Sequence, residues 1–283
     1  MIGLFDSGFG GLTILRAVVN ALPHRHFLYF GDHATVPYGN REREDIYQLT
    51  LNAVEHMFNY GCCLVILACN TSTATSLRRL QQEWLPLINN NNHQQRRILG
   101  ILVPIVEAIT DAKLTFNNSK ILKTKQLIAV FATKQTVLSN AYPLEISKRA
   151  SEVTVIQQAC PQLVDLIETG ATKKKLFSLV CHYVDVLLEN TKKKLPDIVI
   201  LGCTHYNLIA DLFATALPNN IEILSQPNLV THSLVDYLRR HPEFDKLTTT
   251  TSIQFLTTGD PNRTSLFGSI FFGSSITFEK MKQ

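Results

Sequence analysis

Two stretches of the chain are similar: Val65–Thr71 reads VILACNT, and Val199–His205 reads VILGCTH. In each, a short apolar run rich in β-branched residues ends at a cysteine, and small polar residues come after it. Such a run is typical of a parallel strand that is covered on both faces. Since ligands bind at the carboxyl ends of parallel strands, the pattern predicts that Cys69 and Cys203 lie at the ligand-binding edges of two sheets.

Short apolar runs alternate with helical patterns along the chain. At helical spacing, apolar residues recur from Leu12 to Leu22 and again from Leu176 to Leu187. This alternation indicates βα units and parallel sheets, so we expect an α/β fold. The predicted strands are Ile2–Phe5, Phe27–Phe30, Leu64–Ala68, Ile98–Leu102, Leu127–Phe131, Val153–Ile156, Ile198–Leu201, Ile221–Leu224 and Ile253–Leu256.

A second pair of similar segments precedes the cysteines. Ile2–Gly8 reads IGLFDSG and Ile128–Lys134 reads IAVFATK, again an apolar strand with small polar residues at its end. From the phenylalanine of each segment to the next of the two quoted cysteines is 64 residues in one case and 72 in the other. The similar offsets predict two related α/β halves, and 283 residues are enough for two domains.

Composition and charge exclude several classes of protein. Hydrophobic residues make up 45% of the chain and charged residues 18%, as in ordinary folded domains. The formal charge of +4 includes two lysine clusters, Lys173–Lys175 and Lys192–Lys194, without interleaved aromatic residues. We interpret them as solvated helix ends, so nucleic acid is not expected as a partner.

The cysteines and apolar runs indicate a reduced environment away from membranes. The six cysteines form no CxxC pair, and Cys62 and Cys63 are adjacent, which does not suit a disulfide scaffold. The longest uninterrupted apolar run, Cys62–Cys69, is too short to cross a bilayer. The N-terminal MIGLFDSG enters a strand without a basic region or cleavage site, so we expect a cytoplasmic protein.

Cys69 and Cys203 differ from the other cysteines in the residues that come after them. The pairs Asn70-Thr71 and Thr204-His205 can donate hydrogen bonds, which suits a polar ligand with carboxylates. A metal site formed with His205 is an alternative, although spacing says nothing about ligands on separate strands. We expect the remaining cysteines to pack as small buried side chains: Cys62, Cys63, Cys160 and Cys181.

Two thiols on opposite sides of one carbon atom suggest racemisation. One thiolate removes a proton from the stereocentre, and the other thiol delivers a proton to the opposite face. The unperturbed pKa of a thiol, about 8.5, allows either form near neutral pH with modest tuning. The chain has no recognisable Schiff-base lysine motif. Hydrogen bonds from Asn, Thr and backbone donors are therefore expected to stabilise a carboxylate that gains enolate character.

Further polar groups stand at the ends of the first two predicted strands. Asp6-Ser7-Gly8 leads into Gly10-Gly11 and a helix, a turn whose backbone N–H groups suit an anion such as a carboxylate. It is not a dinucleotide fingerprint, because Thr13 occupies the position of the last glycine. Asp32 closes the second strand, where a role as a turn or cap residue is equally plausible.

Four motifs, in this order, give the chain a resemblance to a known family: FDSGFGG, GDHATVPYG, ACNTSTA and LGCTHY. With ACPQLVDLIETG at Ala159–Gly170 and TTGDP at Thr257–Pro261, the chain resembles the glutamate racemases nearly from end to end. These are cofactor-independent bacterial enzymes that supply D-glutamate for peptidoglycan. The resemblance implies two flavodoxin-like domains, doubly wound parallel sheets related by pseudo-symmetry, with glutamate bound at their interface. It also implies no cofactor and no metal, and it allows a homodimer.

The resemblance further implies that the last part of the chain returns to the first domain. We expect a discontinuous first domain of residues 1–97 and 208–283, and a second domain of residues 98–207. The Asn-rich stretch 89–97 falls at the first boundary and looks like an insertion in an exposed connection.

Individual positions acquire roles from the same resemblance. Cys69 would deprotonate D-glutamate and Cys203 L-glutamate, each acting as the acid in the reverse direction. Asp32 would assist the first cysteine, and Glu168 and His205 the second. The substrate-binding positions are Asp6, Ser7, Tyr38, Gly39, Asn70, Thr71, Thr133, Thr136, Thr204 and His205.

Three residues depart from the family's usual pattern. Ala132 stands in place of Gly, Ile105 follows Pro104 in place of Gly, and Asn207 follows the CTHY block in place of Pro. None of these changes removes a catalytic group. Ala132 precedes Thr133, so it is expected to alter the backbone of one pocket wall and to affect substrate affinity more than reaction type.

Three other functions fit parts of the pattern. An aspartate racemase would keep both cysteines, and a non-enzymatic amino-acid binder would bind glutamate without exchanging its α-proton. A regulatory protein that uses the fold as a scaffold would not need reactive thiols. Tyr206 after CTH favours glutamate over aspartate by resemblance.

Overall fold

The strands of the protein form two parallel sheets, in a computed structural model that describes residues 1–90, 95–110, 126–192 and 194–281. One sheet has six strands and the other has four. In chain order the strands are β1 (Ile2–Asp6), β2 (His26–Gly31), β3 (Leu64–Leu67), β4 (Arg97–Gly100), β5 (Leu127–Ala132), β6 (Thr154–Ala159), β7 (Ile198–Gly202), β8 (Glu222–Leu224), β9 (Ser252–Thr257) and β10 (Glu279–Lys280).

Both sheets contain the same arrangement of four strands. The first sheet runs β10-β9-β2-β1-β3-β4, and the second runs β6-β5-β7-β8. In each, the first strand lies between the second and third, and the fourth pairs with the third. The expected α/β fold with two parallel sheets is confirmed, and the two quoted cysteines lie within two residues of the ends of the equivalent strands β3 and β7.

Helices cover both faces of the sheets. Leu64 and Ile66 of β3 pack into one hydrophobic cluster, whereas Val65 and Leu67 pack into another. This two-sided burial explains why the run LVIL has no polar position. The α-helices in the described part of the chain are α1 (Gly11–Ala21), α2 (Arg43–Asn59), α3 (Asn70–Arg79), α4 (Leu85–Asn90), α5 (Leu102–Thr110), α6 (Lys134–Ser139), α7 (Ala141–Ser147), α8 (Leu163–Glu168), α9 (Lys173–Asn190), α10 (Ala210–Ala216), α11 (Gln226–Arg240) and α12 (Pro261–Phe272). None of these is long and apolar enough to cross a membrane.

All nine predicted strands are present, with ends shifted by up to three residues. Strand β4 ends at Gly100 rather than at Leu102, because Leu102 begins helix α5. Strand β10 was not predicted, since two residues are too few to show any alternation.

Two strands pair with a strand that lies across one of the predicted domain boundaries. β4 is hydrogen-bonded to β3 in the first sheet, and β8 is hydrogen-bonded to β7 in the second. A boundary between residues 97 and 98 would separate β4 from its sheet, and one between 207 and 208 would separate β8 from its sheet. The sequence does not mark these points, because each strand follows a helix as any other strand does. The division into domains stays a prediction.

Parts of two predicted features lie outside the described residues. These are residues 91–94 of the Asn-rich stretch 89–97, and Lys193 of the second lysine cluster. Asn89 and Asn90 end α4. Lys173–Lys175 begin α9 and are exposed, as predicted for a solvated helix end.

Candidate active site

A cleft between the carboxyl edges of the two sheets collects the segments that come after β1, β2 and β3 on one wall and after β5, β6 and β7 on the other. The space that the centre of a water molecule can reach is about 30 Å³, room for roughly two water molecules. The walls are therefore nearly closed on each other. The lining residues are Ser7, Val36–Asn40, Cys69–Thr71, Thr133–Lys134, Cys160–Gln162, Val164, Asp165 and Cys203–His205.

Cys69 stands between β3 and α3, at the N-cap of the helix. Its Sγ accepts a hydrogen bond from the backbone N–H of Ser72 at 3.5 Å and lies 3.3 Å from Oγ of Ser7. Burial raises the pKa of the Cys69 thiol, and the charge of Asp6 adds to this rise. The hydrogen bonds from Ser7 and Ser72 oppose it without cancelling it. Cys69 is therefore a neutral thiol at pH 7 and a proton donor at rest.

Cys203 follows the equivalent strand β7 but has charged neighbours. Its Sγ lies 3.7 Å from Nδ1 of His205, and Nε2 of His205 lies 2.7 Å from Oε1 of Glu168, the last residue of α8. Burial lowers the pKa of His205, but the hydrogen bonds and charges of Cys203 and Glu168 raise it well above its usual range. Burial raises the pKa of Glu168, yet the hydrogen bonds and charge of its partners bring it below its usual value, His205 foremost. His205 and Glu168 thus form a buried imidazolium–carboxylate pair behind Cys203.

The turn between β1 and α1 is the surface against which the Cys203 segment packs. Oδ2 of Asp6 accepts a hydrogen bond from the Thr204 hydroxyl at 3.2 Å. Burial raises the pKa of the Asp6 carboxyl group. A β-carbon on Gly10 would lie 2.8 Å from the backbone nitrogen of His205, so only glycine permits this approach. The FDSGFGG motif therefore joins the two halves of the molecule, besides exposing backbone N–H groups.

Threonine hydroxyl groups connect the two walls. Oγ1 of Thr71, on the first wall, lies 2.9 Å from Oγ1 of Thr133, on the second, and the latter lies 3.0 Å from Oγ1 of Thr136. Thr133 caps the N-terminus of α6, where its hydroxyl accepts from the backbone N–H of Thr136. Ala132, which departs from the family pattern, ends β5 directly before this cap and is fully buried.

Asp32 contacts the cleft through Tyr38. Its carboxylate accepts hydrogen bonds from the Tyr38 and Thr258 hydroxyl groups, both at 2.6 Å, and from Thr35. The hydrogen bonds of the Cys69 thiol are instead to Ser7 and Ser72. Assistance from Asp32 to Cys69 stays a prediction, and in this geometry it would pass through the Tyr38 side chain.

Most of the predicted site residues line the cleft, and the others stand directly behind lining residues. Those that line it are Ser7, Tyr38, Gly39, Cys69, Asn70, Thr71, Thr133, Cys203, Thr204 and His205. Those behind, each hydrogen-bonded to a lining residue, are Asp6, Asp32, Thr136 and Glu168.

Several lining residues were not predicted, among them Lys134, Gln162, Asp165 and Cys160. Cys160, predicted as a core residue, is buried but also lines the cleft. It comes after β6, the strand equivalent to β2, so its position matches that of Asp32. The repeated strand order is the signal that could have identified it.

The remaining cysteines lie outside this lining. Cys62 and Cys63 are buried, as predicted, whereas Cys181 is only half-buried. The buried stripe of α9 passes through Val180 and Val184 instead. Over the described ranges, no group of three or more His, Cys, Asp or Glu side chains is placed to hold a metal ion.

The fold and the cleft together define a class: two-sheet α/β proteins with paired thiols, one from each sheet, at a shared ligand cleft. Among curated proteins, the glutamate racemase of Jannaschia sp. (strain CCS1) is 44% identical over 280 residues, which cover 98% of each chain. The chain belongs to the glutamate racemase family.

Solved structures agree with this assignment. A glutamate racemase isoform from Bacillus anthracis superposes with a TM-score of 0.83 at 26% identity, over 100% of this chain and 97% of that one. The glutamate racemase from Francisella tularensis in complex with D-glutamate superposes with a TM-score of 0.82 at 24% identity, over 99% of this chain and 97% of that one, which shows a shared fold. No family model matches the chain.

Proposed function

We propose that the chain interconverts L-glutamate and D-glutamate and so supplies D-glutamate for peptidoglycan. Membership in the glutamate racemase family supports the substrate, since two curated relatives of that name are each 44% identical over 98% of this chain. The observation that carries the mechanism is the cleft itself. Cys69 and Cys203 line this cleft from different sheets, an arrangement that suits two bases acting on opposite faces of one carbon atom.

In the L-to-D direction, the Cys203 thiolate takes the α-proton. The C–H bond breaks, an S–H bond forms, and the electron pair stays on the α-carbon and its carboxylate. Cys69, a neutral thiol at rest, then delivers its proton to the opposite face. Protonated His205, paired with Glu168, supplies the positive charge beside the Cys203 thiolate before the step. In the D-to-L direction the two thiols exchange roles.

Hydrogen-bond donors around the cleft stabilise the carboxylate as it gains enolate character. Side chains of Asn70, Thr71 and Thr204 line the cleft, together with the start of α3. Preorganised donors are most effective where water is excluded, and the nearly closed cleft has room for only a few water molecules. Because about 30 Å³ cannot hold an amino acid of this size, the walls part for glutamate to enter and close on it afterwards.

The test is an assay of the purified chain, without added cofactor, on each enantiomer of glutamate and of aspartate in deuterium oxide. Chiral chromatography reports racemisation, and proton NMR reports exchange at the α-carbon. We expect interconversion of the glutamate enantiomers with incorporation of deuterium. Faster turnover of aspartate would make the chain an aspartate racemase, and binding of glutamate without exchange would make it a binder.

The two-thiol mechanism is tested by Cys69→Ser and Cys203→Ser, each of which should abolish racemisation. Full activity in either variant would refute it. The cytoplasmic location stays a prediction from the cysteines and the N-terminal stretch, and the homodimer stays one from the resemblance. Cell fractionation and analytical ultracentrifugation are the measurements that decide them.

A further inference from the structure

Asn70, the residue after Cys69, is held by a buried hydrogen-bond network outside the cleft lining. Its Nδ2 donates to Oε1 of Gln226 at 2.7 Å, and its Oδ1 accepts from Nε2 of Gln226 at 2.8 Å. The hydroxyl of Tyr142 also donates to Oδ1, at 2.9 Å. Nε2 of Gln226 lies 3.5 Å from that hydroxyl and closes the ring. Gln226 and Tyr142 are fully buried, so the Asn70 amide is clamped from two sides.

The clamp determines what Asn70 can offer a ligand. An asparagine amide has two acceptor lone pairs and two N–H groups. Both lone pairs of Oδ1 and one N–H of Nδ2 are used by Gln226 and Tyr142. Asn70 lines the cleft, and the capacity that remains is a single N–H donor. A donor is what a carboxylate requires, whereas a flipped amide would turn an acceptor toward it.

The clamp joins elements of both sheets. Tyr142 belongs to α7, which comes after β5, whereas Gln226 is the first residue of α11, which packs on α1 and α5. The backbone N–H of Gln226 donates to Oδ1 of Asn207 at 3.5 Å, and Nδ2 of Asn207 donates to the Thr204 carbonyl at 3.1 Å. Asn207 stands where the family usually has proline, which could make neither contact. The start of α11 is therefore tied to the segments after both cysteines.

We propose that Gln226 and Tyr142 are positioning residues for racemisation, which hold Asn70 as a hydrogen-bond donor to the carboxylate of the substrate. The proposal rests on the proposed function for the identity of that substrate. Neither residue lines the cleft, so both act through Asn70. Their effect must then vanish when the Asn70 amide is absent, which a purely structural role would not predict.

The experiment is a double-mutant cycle on the full chain. Tyr142→Phe and Gln226→Leu are each made in the unsubstituted chain and in Asn70→Ala, and kcat/KM is measured together with the Kd for D-glutamate. In the unsubstituted chain we expect kcat/KM to fall about fivefold for Tyr142→Phe and about 25-fold for Gln226→Leu, as for one and two lost hydrogen bonds. In Asn70→Ala neither substitution should lower kcat/KM by more than about twofold.

Losses of equal size in both backgrounds would overturn the proposal, because the two residues would then act independently of Asn70. Tyr47→Phe, in a buried tyrosine of α2 outside the cleft lining, is the matched control and should leave kcat/KM unchanged. Melting temperatures separate folding defects from loss of activity. If the unsubstituted chain binds D-glutamate without racemising it, the proposed function fails, and the same cycle is then decided from Kd alone.

Discussion

The two cysteines occupy equivalent positions in the two sheets, yet their surroundings differ in charge. Cys69 contacts a hydroxyl and a backbone N–H, and its pKa is raised by burial and by nearby Asp6. Cys203 contacts an imidazole that Glu168 holds in its protonated form. The strand order decides where each thiol stands. The side chains that come after each strand decide what the thiol contacts: neutral hydrogen-bond donors at Cys69, and the imidazolium of His205 at Cys203.

This asymmetry cannot favour one direction of the reaction. The enantiomers have equal free energies in water and share one set of transition states, so kcat/KM is the same for both. The different neighbours therefore act on the proton-transfer step at each face. Their effects can be measured as exchange of the α-proton with solvent, followed for one enantiomer of glutamate at a time.

The largest expected effect comes from removing one thiol. Cys69→Ser and Cys203→Ser should each lower racemisation by about 10³-fold or more, as expected when a general acid–base group is lost. Each variant keeps one working face, so Cys203→Ser should still exchange the α-proton of D-glutamate and Cys69→Ser that of L-glutamate. Proton NMR in deuterium oxide measures this. Exchange from the opposite enantiomers would reverse the assignment of faces.

A smaller loss is expected from Glu168→Gln. Without the carboxylate, burial lowers the pKa of His205, so the imidazolium is lost at a lower pH. We expect kcat/KM to fall about 10- to 100-fold at pH 8, with its alkaline limb displaced toward lower pH. A pH profile of racemisation measures both.

Two further substitutions serve as comparisons for Glu168→Gln. Glu189→Gln, in an exposed residue near the end of α9, should leave the profile unchanged. Asp32→Asn should cost less than Glu168→Gln, because Glu168 pairs with the imidazole that contacts Cys203, whereas the hydrogen bonds of the Cys69 thiol are to Ser7 and Ser72. An equal loss from Asp32→Asn would show that the Cys69 face also depends on a carboxylate, and the contrast between the faces would disappear.

The sequence predicts the strands well because their cause is local. Burial on both faces requires unbroken apolar runs such as LVIL, and a polar residue after the run marks the strand end. The sheets that β4 and β8 join could not be predicted, because the cause is not local. Which sheet a strand joins depends on pairing with distant residues, and the strand's own composition does not record it.

The same division holds within the site. The thiols were predicted from the repeated strand ends, and roughly half of the other lining residues came with the family resemblance. The clamp on Asn70 was not predicted, since Tyr142 and Gln226 are 72 and 156 positions away in sequence. A hydrogen bond over such a separation has no local pattern. Cys160 was missed because a cysteine after a strand resembles a core residue until the strand order is known.

An intermediate effect is expected from Gly10→Ala, which tests the contact between the halves. The added β-carbon would lie 2.3 Å from Oγ1 of Thr204 and 2.8 Å from the His205 backbone, so the Cys203 segment must shift. We expect a loss of about 1–3 kcal/mol in the free energy of unfolding and a roughly tenfold loss in kcat/KM. Gly3→Ala, which meets the flexible end of Met57, is the matched control and should change stability only. Chemical denaturation and the racemisation assay distinguish the two.

The smallest effect, and the sharpest test of the contrast, is expected from Ser7→Ala. The Ser7 hydroxyl lowers the pKa of Cys69, so its loss raises that pKa further and makes the thiolate rarer at a given pH. We expect about threefold slower exchange of D-glutamate in the Cys203→Ser background, with its rise displaced to higher pH. Exchange of L-glutamate in the Cys69→Ser background should not change, nor should either rate in Ser265→Ala on α12. Equal slowing on both faces would mean that Ser7 serves the substrate rather than one thiol, and its hydroxyl would no longer distinguish the two halves.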